Sequence, residues 1–384
     1  MGTRLRSNWL AALLLAPLCA APAHAASIYS FVDLGTLGGS TSFALDVNMH
    51  RQVTGNAQTP IGQPNPRLNA FLYSGSGPMQ NLGVLPGSNN FSRGYAINAS
   101  GVVVGESDNN SSRAFRSSGG AMSLLPGLSG GNGGAVAHDI NDAGVIVGAS
   151  SNGTASRPVV WTAGAPTDLG SLDGQTSTPG RAWGINNQGQ MVGVSRRDAG
   201  ASIAQATLWN GIGAAPLNLR SLLADSFSEA LAINESGVVV GSAVNGTTQF
   251  GTSIRRAVRW TPGSPGYQIE ALGSLGLTFS EAKDVNASGQ IVGSATNILG
   301  QAQRAFLWDS GVMVDLNTLA TSPGWVLTSA EGINDLGDIV GFGTFGGSTR
   351  AFMLTTVVPV PGSALLMLSS LVVFATLGWK RRRR

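Results

Sequence analysis

Aromatic rings and guanidinium groups recur at matching places in the middle of this chain, where they could bind a sugar or an anionic polymer. Tyr95, His138 and Trp183 each stand three residues before an asparagine of a repeated phrase. Arg93 and Arg181 stand five residues before two of the same asparagines. Aromatic faces beside hydrogen-bonding guanidinium groups suit carbohydrate or anionic ligands. These positions would equally serve packing between repeats and a solvated rim, and the sequence leaves both interpretations open.

Catalytic chemistry has weaker support. Glu229 and Glu281 form the one carboxylate pair that a glycan lyase or hydrolase could use, but such chemistry needs a defined separation that sequence does not supply. Beyond the N-terminal segment there are two histidines, His50 and His138, and they lie in different repeats, which disfavours a histidine metal site. Asp139 follows His138 directly and so points to the opposite face of a strand. We therefore expect no catalytic residue, no bound metal and no cofactor.

Three aspartates occupy one position of the repeat, two residues before the asparagine. They are Asp46, Asp139 and Asp284, and the other repeats have Ala or Gly there. Carboxylates brought to one region could bind calcium. Because no Asp-x-Asp-x-Asp loop accompanies them, we favour the alternative that the position requires a small side chain.

The phrase that carries all these residues recurs seven times and reads small-x-x-Ile-Asn-x-x-Gly-x-x-Val-Gly. Its asparagines are 43 to 52 residues apart, a period typical of solenoids and propellers. They are Asn48, Asn98, Asn141, Asn186, Asn234, Asn286 and Asn334. Small and β-branched residues alternate before each asparagine as in a strand, and Asn-x-x-Gly is typical of a turn. The first repeat departs from the pattern, with Arg51 in place of the turn glycine and Thr54 in place of the valine.

Two further segments complete each repeat, one like residues 304–308 and one like residues 167–172. Four strands of about six residues are typical of one propeller blade. The seventh repeat ends at residues 352–354 without its last segment, whereas an unpartnered copy of that segment stands at residues 31–39. If this N-terminal strand completes the last blade, no sheet edge stays open. The sequence thus predicts an all-β fold over residues 26–354, a seven-bladed β-propeller of four-stranded blades whose N-terminal strand closes the last blade.

Charge and cysteine content exclude several classes of protein. Charged residues make up 11% of the chain, and the two ends hold seven of its 23 basic residues. Between them, 16 basic residues stand against 20 acidic ones, which disfavours a nucleic-acid partner. The one cysteine, Cys19, lies in the N-terminal apolar run, so the rest of the chain has neither a disulfide nor a cysteine-bound metal.

Both ends resemble targeting segments. Residues 1–25 combine two arginines, an apolar run and Ala23-His24-Ala25, the pattern of a secretory signal cleaved after Ala25. Residues 355–362 form a Pro-x-Pro linker, and the uncharged residues 363–379 are long enough for a short transmembrane helix. The basic residues 380–384 would hold that helix end in the cytoplasm. We expect an exported protein of the cell envelope or exterior, anchored in the membrane at its C-terminus before any processing.

The repeats resemble the HAF repeat family of extracellular bacterial proteins. The resemblance rests on the phrases at residues 34–40 and 304–308 and covers residues 31–354. The C-terminus resembles the PEP-CTERM sorting signal, with Val360 where that signal has Glu; the motif residues are Val358, Pro359, Pro361 and Gly362. This second resemblance implies an exosortase-like sorting enzyme as a partner, and the alternative is a plain single-pass anchor. Neither resemblance implies an established biochemical activity.

The function that these features favour is a surface- or matrix-associated binding module without catalysis. Its ligand would be a polysaccharide or another exopolymer. A propeller-based glycan lyase or hydrolase and a purely structural surface protein are the alternatives. The predicted ligand residues are Arg93, Tyr95, His138, Arg181 and Trp183.

Overall fold

The computed structural model describes residues 29–60, 67–87, 91–108, 111–128, 134–197, 203–249, 251–320 and 322–357. Within these ranges, 28 strands form seven four-stranded sheets, which we call blades 1 to 7 in chain order. Blade 1 comprises β2 (Ser42–Val47), β3 (Val53–Gln58), β4 (Leu68–Tyr73) and β5 (Gln80–Gly83). Blade 2 comprises β6 (Ser92–Ile97), β7 (Val103–Asp108), β8 (Ser112–Ser118) and β9 (Ala121–Leu124). Blade 3 comprises β10 (Ala135–Ile140), β11 (Ile146–Ser151), β12 (Ser156–Trp161) and β13 (Pro166–Asp168).

The remaining blades follow the same order. Blade 4 comprises β14 (Gly180–Ile185), β15 (Met191–Arg196), β16 (Ala204–Trp209) and β17 (Leu217–Asn218). Blade 5 comprises β18 (Ser228–Ile233), β19 (Val239–Thr247), β20 (Ser253–Gly263) and β21 (Gly266–Gly273). Blade 6 comprises β22 (Phe279–Val285), β23 (Ile291–Thr296), β24 (Gln303–Asp309), β25 (Val312–Asp315) and a 3₁₀ turn, η1 (Leu316–Thr318). Blade 7 comprises β26 (Trp325–Ile333), β27 (Ile339–Phe345), β28 (Ser348–Thr356) and the N-terminal strand β1 (Tyr29–Gly35).

The ring closes through the N-terminal strand, as the sequence predicts. β1 pairs antiparallel with β28, from Tyr29 opposite Thr356 to Gly35 opposite Ala351. The first strands of neighbouring blades contact each other around the whole ring, and β26 contacts β2. The prediction of a seven-bladed propeller of four-stranded blades is therefore confirmed.

Buried side chains lie between neighbouring blades rather than in one central core. One cluster joins Val192 and Leu208 of blade 4 to Val258 and Trp260 of blade 5. Similar clusters occupy the other junctions within the described ranges. Burying these apolar faces contributes roughly 1.5–3 kcal/mol for each large side chain, so a blade is stabilised mainly by its two neighbours.

The last glycine of the repeated phrase has a steric cause that the sequence did not reveal. A Cβ on Gly105 would lie 1.9 Å from the backbone oxygen of Arg93, and a Cβ on Gly193 would lie 2.0 Å from that of Arg181. The same short approach, 1.9 to 2.1 Å, recurs at Gly55, Gly148, Gly241, Gly293 and Gly341. The carbonyl comes this close because the first strand of every blade carries a β-bulge opposite the glycine. A bulge redirects the side chain of the extra residue, and that residue is the one three positions before the asparagine.

The seven asparagines link the blades into a closed ring of hydrogen bonds. Asn48 donates from Nδ2 to the backbone oxygen of Asn98 (2.9 Å), and each later asparagine donates in the same way to the next. Asn334 completes the ring by donating to the backbone oxygen of Asn48 (3.0 Å). Each side-chain oxygen accepts backbone N–H groups of its own turn, for example those of Ser236 and Val238 at Asn234. The sequence predicted the turn correctly but not the bond between blades.

The first repeat departs from the repeated phrase at the junction of blades 7 and 1, where the ring closes. Arg51, in the left-handed conformation at φ 58°, takes the place of the turn glycine. Its Nε donates to Asp338 Oδ2 of blade 7 at 2.8 Å, and the Asp338 side chain is fully buried. Asp338 also accepts from Asn334 Nδ2 (3.1 Å) and from the backbone N–H of Thr356 (3.2 Å). The irregular residue therefore supplies the positive charge that a buried carboxylate at the junction of blades 7 and 1 requires.

Five of the fourth strands have four residues or fewer, whereas β21 has eight and β1 has seven. One prediction of where such a strand ends is wrong. The sequence placed the fourth strand of blade 3 at residues 167–172, but β13 ends at Asp168. Asp168 Oδ1 accepts the backbone N–H of Gly170 (2.8 Å), which turns the chain and ends the ladder. Asp315 does the same at the end of β25, and Asn81 in β5 likewise accepts the backbone N–H of Gly83.

Several predictions lie outside the described residues. These are the signal segment 1–25 with its cleavage after Ala25, the sorting motif at residues 358–362, the apolar segment 363–379 and the basic tail 380–384. Across the part of the chain that the structure does describe, no helix has the length and apolarity to cross a membrane.

Candidate functional site

Three aromatic rings from three successive blades contact one another. Tyr95, His138 and Trp183 occupy the bulged position of the first strand in blades 2, 3 and 4. The rings of Tyr95 and His138 meet edge to face, with centroids 5.8 Å apart at 80°. The rings of His138 and Trp183 lie 4.1 Å apart at 33°. The bulges that the repeat glycines permit thus bring together side chains more than 40 residues apart in sequence.

Arg93, Tyr95 and Glu106 form a network at one end of this row. Arg93 Nη1 donates to the Tyr95 hydroxyl (2.9 Å), and that hydroxyl donates to Glu106 Oε1 (2.8 Å). Arg93 and Glu106 also form an ion pair at 3.7 Å. Burial and the adjacent Glu106 carboxylate raise the pKa of Tyr95 to about 12, so this phenol stays protonated. The charges of Arg93 and Glu106 balance, and the network holds the Tyr95 ring in place.

His138 is a neutral imidazole with a defined tautomer. Its side chain is buried, at 8% exposed, and Nδ1 lies 2.8 Å from the backbone oxygen of Ala182. A carbonyl oxygen can only accept, so Nδ1 carries the proton and Nε2 keeps its lone pair. Burial lowers the pKa of His138 to about 4; the charge of Arg181 adds to this effect and the bond to Ala182 opposes it. At neutral pH the ring therefore offers a hydrogen-bond acceptor.

Arg181 and Trp183 form the other end of the row. The guanidinium carbon of Arg181 lies 5.6 Å from the centre of the Trp183 ring, within the range of a cation–π contact. Trp183 Nε1 donates to Glu229 Oε1 of blade 5 at 2.6 Å, which fixes the indole. Arg181 is exposed. Among the residues that the structure describes, no acidic side chain forms an ion pair with it.

A cavity of ≈ 250 Å³ lies among these side chains, and we call it the blade 3 cavity. Its lining includes four of the five predicted ligand residues: Tyr95, His138, Arg181 and Trp183. Arg93, the fifth, reaches it through the bond to Tyr95. The rings also pack between blades, which supports the packing interpretation of these positions. That the cavity binds a ligand stays a prediction.

Sequence reasoning missed three polar residues of this cavity, Glu106, Ser112 and Ser156. Glu106 follows the last glycine of the second repeat, where the other repeats have no acidic residue. It pairs directly with Arg93 across the hairpin of β6 and β7. An opposite charge at the facing register position was therefore the available signal for Glu106. The two serines begin third strands and have no distinctive sequence context.

The carboxylates considered for catalysis lie in blades 5 and 6. Glu229 accepts from Trp183, and Glu281 forms an ion pair with Lys283. Burial, with a smaller effect from the charge of Glu281, raises the pKa of Glu229. Glu281 and Arg255 line a second cavity of ≈ 270 Å³ on the same face, which we call the blade 6 cavity. Both carboxylates thus have structural partners that account for their presence.

The three aspartates at the shared position bridge blades through backbone amides. Asp46 accepts the N–H of its neighbour Val47 (2.7 Å) and that of Ile97 in blade 2 (2.7 Å). Asp139 and Asp284 make the same pair of bonds. Burial, and then the charge of Asp284, raises the pKa of Asp46 to about 8. These bonds are the role of the carboxylates, a role that the prediction of a merely small side chain did not include.

Steric limits at that position agree with the rest of the prediction. A Cβ on Gly184 would lie 2.9 Å from the backbone oxygen of Leu231 in the next blade, and one on Gly332 would lie 3.1 Å from the Asp46 Cα.

Over the described ranges, no three His, Cys, Asp or Glu side chains are grouped so that they could hold a metal ion. His138 is bonded to Ala182 and Asp139 to Ile140 and Ile185, so these two adjacent side chains have separate partners.

Fold and site together define a closed seven-bladed β-propeller with a polar, aromatic-lined cavity at the inner strands of blades 2 to 4. Comparison with protein families found one similarity: residues 165–353, just under half of the chain, match a family described as "Protein of unknown function (DUF3466)". The comparison with curated proteins found no match.

Solved structures that resemble the chain include a propeller domain. The β-propeller domain of the trilobed protease from Pyrococcus furiosus, described as having an open velcro topology, is 8% identical, with a TM-score of 0.52 over 82% of this chain and 93% of that one. A puromycin-hydrolysing peptidase from Mycobacterium tuberculosis is 15% identical, with a TM-score of 0.49 over 83% of this chain and 52% of that one. A Trypanosoma rangeli sialidase is 8% identical, with a TM-score of 0.39 over 91% and 61%. At such identities the likeness shows the fold alone.

Proposed function

We propose that this protein is an exported, surface- or matrix-associated propeller that binds a polysaccharide or another exopolymer and does not cleave it. The observation that carries the proposal is the row of Tyr95, His138 and Trp183 beside the unpaired Arg181, all lining one cavity. Apolar ring faces next to a few fixed polar groups are typical of small-molecule and sugar sites. The Tyr95 hydroxyl, His138 Nδ1 and Trp183 Nε1 are each bonded to a partner, so the three rings lose little ordering entropy on binding.

The proposed cellular location rests on the two ends of the sequence. Residues 1–25 would direct export. The Pro-x-Pro linker, the apolar segment 363–379 and the basic tail would hold the propeller at the outer face of the membrane. We propose an exosortase-like enzyme as the partner that processes this tail, in keeping with the resemblance to HAF repeat proteins and PEP-CTERM signals. An exopolymer is the ligand that a propeller in that place would meet.

The binding proposal is tested by retention of the purified protein on immobilised polysaccharides, with release of reducing sugar measured alongside. The double change Tyr95→Ala and Trp183→Ala should weaken binding by tenfold or more, about 1.4 kcal/mol, because it removes two walls of the cavity. Trp183→Phe is the matched control. It loses the bond to Glu229 but keeps an aromatic wall, so most of the affinity should remain.

Two results would contradict the proposal. Unchanged retention of the double variant would show that the polymer binds elsewhere. Release of reducing sugar by the unmodified protein, lost in Glu229→Gln, would establish the glycan-active enzyme instead.

A further inference from the structure

We infer that the ligand unit held in the blade 3 cavity is an acidic sugar, a uronate whose carboxylate pairs with Arg181. This inference rests on the proposed function and names the class of polymer that the site selects. It follows from three observations: the charge of the cavity, its pattern of hydrogen-bond donors and acceptors, and its size.

The charge of the cavity comes from Arg181 alone. Arg93 and Glu106 neutralise each other at 3.7 Å, and His138 is uncharged. Some arginines of the described ranges have carboxylate partners, such as Asp168 for Arg157. Among the residues that the structure describes, no carboxylate pairs with Arg181, which is exposed at the cavity. One unpaired guanidinium matches one negative charge, and its fork geometry suits a carboxylate held by two bonds.

The hydrogen-bond pattern requires a ligand that also donates. Nε2 of His138 is an acceptor, and among the described residues no donor is bonded to it. Ser112 and Ser156 add two hydroxyl groups to the lining. An anion such as sulfate has no hydrogen to offer His138, whereas a sugar ring carries several hydroxyl groups. A carboxylate at one end and hydroxyl groups at the other describe a uronate.

The size of the cavity fits one sugar unit. Its ≈ 250 Å³ is below the roughly 300–1,000 Å³ of sites for drug-sized ligands. The lining includes Gly134, just before β10, and the exposed Arg181 near the start of β14. A polymer could therefore continue into solvent on either side of the bound unit. The site therefore reads single residues of a longer acidic polymer.

The test compares acids with their methyl esters in a calorimetric titration. Trimers of glucuronate, galacturonate and mannuronate are each titrated into the purified protein as the acid and as the methyl ester. A sulfated trimer of a sugar without a carboxylate is titrated for comparison. At least one acid should bind tenfold or more tightly than its own ester, since esterification removes the charge, adds one methyl group and leaves the ring hydroxyl groups unchanged. Arg181→Gln should abolish that difference, and Arg181→Lys should restore part of it.

Arg255→Gln is the matched control. Arg255 also lies over an aromatic ring, 4.1 Å from that of Phe227, and lines the blade 6 cavity on the same face. The change alters net charge as much as Arg181→Gln does, yet the acid should keep its advantage over the ester.

The outcomes separate this inference from the proposed function. Equal affinity for acid and ester overturns the uronate and leaves polysaccharide binding intact. If the sulfated trimer binds more tightly than every acid, the group that Arg181 prefers is a sulfate ester. That result also overturns the uronate. Loss of the difference in Arg255→Gln would show a long-range charge effect rather than a site. Failure of every trimer to bind overturns the uronate, whereas retention on immobilised polysaccharides still decides the proposed function.

Discussion

A variant that lacks residues 29–35 is expected to be less stable than the complete propeller by about 3–6 kcal/mol from the loss of two buried side chains alone. Tyr29 and Leu34 are each 4% exposed, packed against blade 7 and the junction with blade 1. The deletion also removes the ion pair of Asp33 with Arg350 (3.1 Å). It leaves β28 as an open edge, which promotes pairing with other copies. Urea unfolding and size-exclusion chromatography would measure the two effects.

Rescue by a synthetic peptide of residues 26–39 distinguishes loss of the strand from a general folding defect. The peptide should bind the shortened protein and raise its unfolding midpoint, because β28 offers it backbone partners from Thr356 to Ala351. A peptide with Leu34→Asp is the control and should fail. If the shortened protein is as stable as the original, or if the peptide does not change its unfolding midpoint, the ring does not depend on this strand.

Replacing Arg51 by glycine is expected to destabilise the protein by about 2 kcal/mol, although glycine stands at this place in the other six repeats. Leaving a buried carboxylate without its partner costs about 3–5 kcal/mol, and Asp338 is fully buried. Relief of the left-handed conformation of Arg51 offsets about 1–3 kcal/mol of that cost. The midpoint of urea unfolding, with an unchanged slope, measures the difference.

The double change Arg51→Gly with Asp338→Gln gives the prediction its control. Blades 4 and 6 have this arrangement: Gln190 and Gln290 accept from their asparagines at 2.9 Å, beside a turn glycine. The glutamine variant has no buried charge to neutralise, so the double variant should recover most of the lost stability. Equal stability of the single and double variants would show that the ion pair of Arg51 with Asp338 does not stabilise the junction of blades 7 and 1.

The repeat made the architecture predictable in advance, because seven equal units leave few ways to bury every blade. The surplus segment at residues 31–39 and the missing one after residue 354 predicted the closing strand correctly. The ring of asparagine hydrogen bonds between blades could not be predicted from the repeat pattern. Each Nδ2 donates to a residue of the next blade, whereas a single repeat read as a turn accounts only for the two bonds that Asn234 Oδ1 accepts.

The candidate site was predictable in membership but not in geometry. Matching positions in the repeat placed Tyr95, His138 and Trp183 at one level of the propeller. Alternation with a period of two did not foresee the bulge that brings their rings into contact. The bulge requires a glycine on the facing strand, because a Cβ there would clash with the displaced carbonyl. That relation is visible only when the two strands are paired.

The most direct test of the binding site is the structure of the complex with an acidic trimer at saturating concentration. One sugar ring is expected in the blade 3 cavity, beside His138 and Trp183, with its carboxylate within hydrogen-bond distance of the Arg181 guanidinium. A trimer bound in the blade 6 cavity, or an empty blade 3 cavity at full saturation, would contradict the proposed site.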